Sequence, residues 1–137
     1  MDAIGLAREL GRAIQEDERF ISFQLAGQRN DEDEVLQELI TSFNKSREEF
    51  AGKSKEPGRS QEELERLDNE VKELYAKIFE RESMKNYVRA RDELDSLTGF
   101  IDQIISGSVN GDDPQTIEYR QDTGCGGGGC GGCTGCG

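Results

Sequence analysis

The chain has 137 residues, and its 29 acidic and 17 basic side chains give a net charge of −12. This charge is opposite to the one that phosphate backbones attract, so direct nucleic-acid binding is not expected. The chain contains no histidine, which excludes histidine general-base catalysis and His-containing triads. The many Asp and Glu residues are predicted to lie on solvated helix faces with no sign of a pocket around them, so no enzyme activity is expected.

The sequence contains no apolar run of about 18 residues or more, so no membrane insertion is predicted. The N-terminus lacks the basic region and the unbroken apolar stretch of a signal peptide. These features predict a cytoplasmic protein. In that compartment thiols stay reduced, and clustered cysteines favour metal or redox chemistry over structural disulfides.

The first half of the chain predicts three helical segments. Residues 2–15 have the spacing of a short amphipathic helix, and Asp17 is predicted to cap a second short segment that Gly27 ends. Asp31 is predicted as the N-cap of a longer helix that reaches about Ala51. The apolar stripe of this helix consists of Val35, Leu36, Leu39, Ile40, Phe43 and Phe50.

A polar segment from Gly52 to Gly58 is predicted to be a loop. After it, Ser60 and Glu63 form a capping box that starts a helix over about 61–81. Its stripe alternates by three and four residues, as heptad a and d positions do, and consists of Leu64, Leu67, Val71, Leu74 and Ile78. Whether this stripe faces its own chain or a second chain stays open.

The next helix is predicted to restart near Ser83, to cover about 84–106 and to end at Gly107. Its stripe consists of Met84, Tyr87, Val88, Leu94, Leu97, Ile101, Ile104 and Ile105. The short joint between the helices at 61–81 and 84–106 favours an antiparallel hairpin. The predicted fold is all-α: an antiparallel helical bundle or hairpin of long amphipathic helices, with a disordered Gly/Cys-rich C-terminal tail. Its apolar content is low, which favours a body completed by another subunit.

The C-terminal part of the chain changes in composition. Residues 108–123 have no periodicity and are predicted to be a flexible tether. The docking points expected within this tether are Val109, Ile117 and Tyr119. Residues 124–137 are nine glycines, four cysteines and one threonine, which cannot form a core. The predicted organisation is a helical domain at 1–107, the tether at 108–123 and a metal-binding tail at 124–137.

The only cysteines of the chain lie in this tail with the spacing C-x4-C-x2-C-x2-C: Cys125, Cys130, Cys133 and Cys136. Thiolates are the soft ligands that iron–sulfur clusters and zinc require, and four thiolates complete the ligand set of either. The first three cysteines match the spacing of plant-type ferredoxins, but the adjacent Cys136 does not. These four residues are predicted to ligate an iron–sulfur cluster, with zinc or no metal as alternatives.

The helical body resembles the YlbF/YmcA family of bacterial regulatory proteins over about residues 3–106. The V-x-A-x3-L pattern from Val88 to Leu94 carries the likeness most strongly. The other similar residues are Ala7, Leu10, Ile14, Leu39, Ile40, Phe43, Gly52, Lys53 and the stretch from Ile101 to Ile105. Most of these residues are helix-core positions.

The resemblance implies a helical, dimer-forming regulator without catalytic activity of its own. Members of the family assemble with related subunits and with YaaT, in a complex that carries iron–sulfur clusters. That complex acts with ribonuclease Y in mRNA processing and influences competence, sporulation and biofilm formation. Cysteines near the C-termini of such proteins take part in cluster binding. The dense Gly/Cys ending is a departure from the family and leaves open whether one tail holds the cluster or two chains share it.

Two other functions fit the tail. A ribosomally made peptide precursor would have a helical leader and a Gly/Cys core whose thiols are cyclised into heterocycles. The family-like body and the absence of serine in the tail argue against it. A simple metal store or metal chaperone would bind metal without any protein partner.

Overall fold

The structure is a computed structural model, and it describes residues 1–121. These residues form five α-helices and no strand, so the predicted all-α class is confirmed. The helices are α1 (Ala3–Glu16), α2 (Glu18–Glu32), α3 (Glu34–Ser54), α4 (Gln61–Glu80) and α5 (Glu82–Val109). The chain divides into two compact units, and the boundary between them lies inside α5, after Arg91.

Single residues with extended backbone join three pairs of consecutive helices. Asp17 joins α1 to α2, and its carboxylate accepts a hydrogen bond from the backbone N–H of Arg19, as the predicted cap requires. Asp33 joins α2 to α3, and Arg81 joins α4 to α5. The predicted N-cap at Asp31 was therefore wrong by two residues, because α2 continues through Asp31 to Glu32.

Three glycines that were predicted to end helices also do not end them. Gly27, Gly52 and Gly107 lie inside α2, α3 and α5, so the loop after α3 begins after Ser54 and not at Gly52. A glycine within a helix costs only about 1 kcal/mol relative to alanine, which the neighbouring turns outweigh. The predicted start of α4 is confirmed, because the Ser60 hydroxyl accepts a hydrogen bond from the N–H of Glu63.

Helices α3 and α4 form an antiparallel hairpin. Asp33 meets Arg81, Phe43 faces Tyr75 and Lys53 meets Glu63, so positions rise along α3 as they fall along α4. The apolar stripe of α4 thus faces its own chain, and Leu67 and Ile78 are buried there. Leu36 is the fully buried counterpart on α3. The hairpin architecture is confirmed, but the predicted pairing of α4 with the following helix was wrong.

The first turns of α5 pack against α2. The rings of Tyr87 and Phe23 lie 5.1 Å apart between centroids, and a Cβ added at Gly27 would lie 3.9 Å from the Tyr87 ring. Three residues after Gly27, the side-chain amide of Asn30 donates to the sulfur of Met84. These contacts explain why Gly27 is half-buried within α2 and does not end it.

The second unit begins with the later turns of α5. This helix ends in a Schellman motif: the N–H of Asp112 donates to the carbonyl of Gly107, and the N–H of Gly111 donates to the carbonyl of Ser108. Gly111 has φ +95°, the left-handed conformation that glycine adopts at no steric cost. The motif reverses the chain direction, so the residues that follow run back along α5.

Candidate functional site

The four predicted ligands, Cys125, Cys130, Cys133 and Cys136, lie outside the described residues. Their role as ligands of an iron–sulfur cluster or of zinc therefore stays a prediction. Within residues 1–121, no three carboxylate or other ligand side chains come together in a way that could hold a metal ion.

Helix α1 carries an apolar face that is open to solvent. Leu6 and Leu10 lie on this face and are 51% and 37% exposed. No residue of α1 is buried, although its sequence is clearly amphipathic. An amphipathic helix normally covers its apolar stripe against another element. The uncovered stripe of α1, formed by Leu6, Leu10 and their neighbours, is a candidate protein-binding surface, and we call it the α1 face.

A row of aromatic rings runs along one side of the α3–α4 hairpin. The Tyr75 ring lies 6.2 Å from the Phe43 ring and 4.5 Å from the Phe79 ring, measured between centroids. The Arg47 guanidinium lies 5.6 Å from the centroid of Phe43, within cation–π range. Tyr75 is 54% exposed and Phe79 36% exposed. Exposed aromatic residues of this kind are enriched at protein interfaces.

Three side chains from distant parts of the sequence meet at the joints of the helices, and we call them the Asp33 clamp. The Arg81 guanidinium contacts the Asp33 carboxylate through both Nε and Nη2, with the shortest distance 2.8 Å. The Ser83 hydroxyl donates to the same carboxylate at 2.7 Å. Asp33 also accepts a hydrogen bond from the N–H of Leu36, which caps α3. The clamp thus ties the α2–α3 joint to the α4–α5 joint.

The clamp lowers the pKa of Asp33 to about 2, from the ordinary value of 3.8. The largest cause is the hydrogen bond from Arg81, followed by the one from Ser83, because both favour the ionised carboxylate. The Asp33 side chain is only 13% exposed, so little water competes for these bonds. At neutral pH Asp33 is a fixed, fully paired anion and serves structure, not proton transfer.

Asn30 lies close to the clamp and is buried. Its backbone carbonyl accepts hydrogen bonds from the Gln37 side chain at 2.8 Å and from the N–H of Asp33. Its side-chain oxygen is buried without a protein hydrogen-bond partner. The amide nitrogen has only the weak sulfur acceptor of Met84, at 3.7 Å. Asn30 holds the α2–α3 joint through its backbone, and its side chain packs against the start of α5.

In the second unit, the segment after α5 packs back on the helix. Two of the predicted docking points, Ile117 and Tyr119, contact the helix: Ile117 lies against Gly107, and Tyr119 lies against Gly99 and Phe100. The Phe100 and Tyr119 rings are 5.8 Å apart between centroids. The third, Val109, is 83% exposed at the end of the helix.

The sequence model of one protein family matches residues 4–110, nearly all of the helical body. Its description is control of competence regulator ComK, YlbF/YmcA. The chain belongs to the YlbF/YmcA family. The match confirms the family resemblance that the helix-core residues predicted. The description of the family indicates a regulatory role for the chain. Comparisons with curated proteins and with solved structures found no match.

The regulatory role of the YlbF/YmcA family implies protein partners. The α1 face and the exposed aromatic row are the surfaces of the first unit that suit such partners. In the part of the chain that the structure describes, no helix combines the length and the apolarity that a bilayer crossing requires.

Proposed function

We propose that this YlbF/YmcA protein is a non-enzymatic adaptor of a multi-subunit complex that controls competence and related development through RNA processing. Its partners would be a second copy or a related subunit, a YaaT-like protein and ribonuclease Y. The uncovered α1 face is the observation that carries the adaptor function. Two leucines exposed on one face of an amphipathic helix are costly in water unless a partner covers them.

We propose further that Cys125, Cys130, Cys133 and Cys136 hold an iron–sulfur cluster. The donor set fits: four thiolates are the full complement for such a cluster, and glycines between them allow close wrapping and N–H donors to the sulfides. A bound cluster would supply one-electron redox chemistry to the complex. The chain's own contribution is to hold the cluster and to dock it, through the helical body, on a partner.

Replacement of all four cysteines by serine is expected to abolish iron and sulfide binding, because a serine hydroxyl is a hard and weakly acidic ligand. Full-length protein and the variant are purified anaerobically from the native host, and visible absorption, iron, sulfide and zinc are measured. Brown wild-type protein and a colourless variant support the proposal. Zinc without iron in the wild-type protein would show that the four cysteines form a zinc site and not a cluster. Loss of water from the cysteines in the intact mass would identify a peptide precursor.

The α1 face is tested by Leu6→Glu combined with Leu10→Glu. Burial of a leucine contributes about 1.5–3 kcal/mol, so loss of both is expected to weaken association by about 100-fold or more. Co-purification and sedimentation of the full chain with its partners measure this. The matched control is Gln15→Glu, which adds a negative charge on the polar side of the same helix. Retained assembly in the double variant would remove the α1 face from the proposal.

A further inference from the structure

Asn30 and Met84 form a polar contact whose acceptor is weak. Asn30 is only 9% exposed, and its side-chain nitrogen donates to the sulfur of Met84 at 3.7 Å. A thioether sulfur is a weak hydrogen-bond acceptor, and the Asn30 side-chain oxygen is buried without a partner among residues 1–121. Buried polar groups are normally well paired, because an unpaired group keeps its full desolvation penalty. The Asn30 amide therefore has hydrogen-bonding capacity that this packing does not use.

The two side chains are held opposite each other by structure on both sides. The Asn30 backbone carbonyl accepts hydrogen bonds from the Gln37 side chain and from the N–H of Asp33, so the end of α2 is fixed. Met84 directly follows Ser83, which donates to the Asp33 carboxylate in the clamp. The contact thus lies beside the Asp33 clamp, within the first unit. Its geometry is set before any chemistry takes place on the sulfur.

Oxidation of the Met84 sulfur would supply the acceptor that Asn30 lacks. A hydroperoxide transfers one oxygen atom to the thioether, which loses two electrons and becomes a sulfoxide, while the peroxide is reduced to water or an alcohol. The new oxygen is a strong acceptor. A sulfur–nitrogen distance of 3.7 Å has room for an angled S–O···H–N bond with about 2.9 Å between oxygen and nitrogen. Met84 is only half-buried, which leaves it open to a small oxidant.

We propose that Met84 is a site of oxidation by hydroperoxides, and that Asn30 binds the resulting sulfoxide. Sulfoxide formation usually disrupts packing, because it converts a flexible apolar side chain into a polar one. Here the buried amide turns the oxidised form into a hydrogen-bonded state that ties α2 to the first turn of α5. Methionine sulfoxide reductases restore the thioether, so the contact passes between a weak and a strong form. Asn30 is the positioning residue of this site.

The site is tested first by treatment of the full-length protein with hydrogen peroxide. Peptide mass mapping is expected to show one added oxygen at Met84, and the fully exposed Met1 reports that the oxidant was active. Urea unfolding then compares treated and untreated protein after a thiol reductant has reversed disulfide formation. The unfolding equilibrium constant is expected to change less than about threefold in the wild type but to rise at least about tenfold in Asn30→Leu, where the sulfoxide has no donor. Met84→Leu, treated in the same way, is the matched control and is expected not to respond.

Met84→Gln provides a second test without oxidant, because its side-chain carbonyl takes the place of the sulfoxide oxygen. Relative to Met84→Leu, which keeps the volume but has no acceptor, glutamine is expected to raise the unfolding constant at least about fivefold more in Asn30→Leu than in the wild type. Asn30→Ala is the second background if Asn30→Leu does not fold.

Two results would overturn the proposal. If Met84 stays unoxidised while Met1 reacts, Met84 is not an oxidation site. If oxidation and glutamine each have the same effect with and without the Asn30 amide, Asn30 does not bind the sulfoxide.

Discussion

We expect Leu36→Ala to lower the free energy of unfolding by about 2–5 kcal/mol, because it removes a fully buried side chain from the α3–α4 hairpin. The substitution loses the transfer free energy of the deleted groups and leaves a cavity that the helices fill only in part. The loss is large for this body, since only five apolar residues of the described chain are buried: Ala26, Leu36, Leu67, Ile78 and Ala90. A domain with so small a core has little stability to spare.

Urea unfolding followed by circular dichroism at 222 nm measures this loss in the full-length protein. Leu25→Ala is the matched control, because Leu25 is the same residue type in a helix but is 50% exposed. Its cost is expected to stay below about 1 kcal/mol, since much of the side chain is already in water. Equal losses in the two variants would show that the hairpin core does not hold the body together.

The α1 face and the small core have a common explanation. The first unit buries few apolar side chains and leaves several others in water, including Leu6, Ile21 and Leu25. A chain that assembles with other subunits keeps part of its apolar surface for them, so its core stays small. The low apolar content of the sequence predicted a body completed by another subunit, and the exposed leucines of the α1 face are the surface that we propose for it.

Local patterns in the sequence predicted the helices but not the choice between neighbouring caps. Asp31 has Glu34 at the third position after it, which is the capping-box spacing, whereas Asp33 has Leu36 there. Asp33 nevertheless caps α3, because Arg81 and Ser83 reach it from 48 and 50 residues away. A window of a few residues contains no information on such partners. Ser60 was predicted correctly because its cap is complete within its own turn.

The packing of residues 112–121 back along α5 was not predicted, for a related reason. Gln103 is a polar residue that follows Asp102 on a helix, and local patterns assign such residues to solvent. Its two hydrogen bonds form only because the chain reverses at Gly111 and brings Arg120 back to it. The glycines at 99 and 107 likewise resemble weak points of the helix until their neighbours are known. The predicted metal ligands depend on composition and spacing alone, and residues 1–121 contribute nothing to test them.

The Asp33 clamp leads to a prediction that depends on pH. Its pKa of about 2 in the folded protein lies below the value of 3.8 for an unperturbed aspartate. The unfolded chain therefore binds a proton more readily, and the stability from this group is complete above about pH 4. As the pH falls from about 4 to 2, protonation favours the unfolded state and this stability is lost. The full-length wild type is expected to lose urea resistance over this range.

Asp33→Ala is expected to destabilise the protein at pH 7 and to remove the part of the acid dependence that Asp33 contributes. It deletes the cap of α3 together with the acceptor of Arg81 and Ser83. Ser60→Ala is the matched control, because it deletes a helix cap without a partner from another helix and costs about 1 kcal/mol. The loss in Asp33→Ala is expected to exceed that of the control at pH 7.

The two variants separate the clamp from ordinary capping when unfolding is measured between pH 7 and 2. The stability difference between wild type and Asp33→Ala is expected to shrink below about pH 4, since the wild type loses the clamp as Asp33 is protonated. The difference for Ser60→Ala is expected to stay constant, because a serine hydroxyl does not titrate in this range. A constant difference for Asp33→Ala down to pH 2 would contradict the lowered pKa and the role of Arg81. Arg81→Gln provides the independent check, because loss of the guanidinium is expected to return the pKa of Asp33 towards 3.8 and to move the onset of acid unfolding upwards.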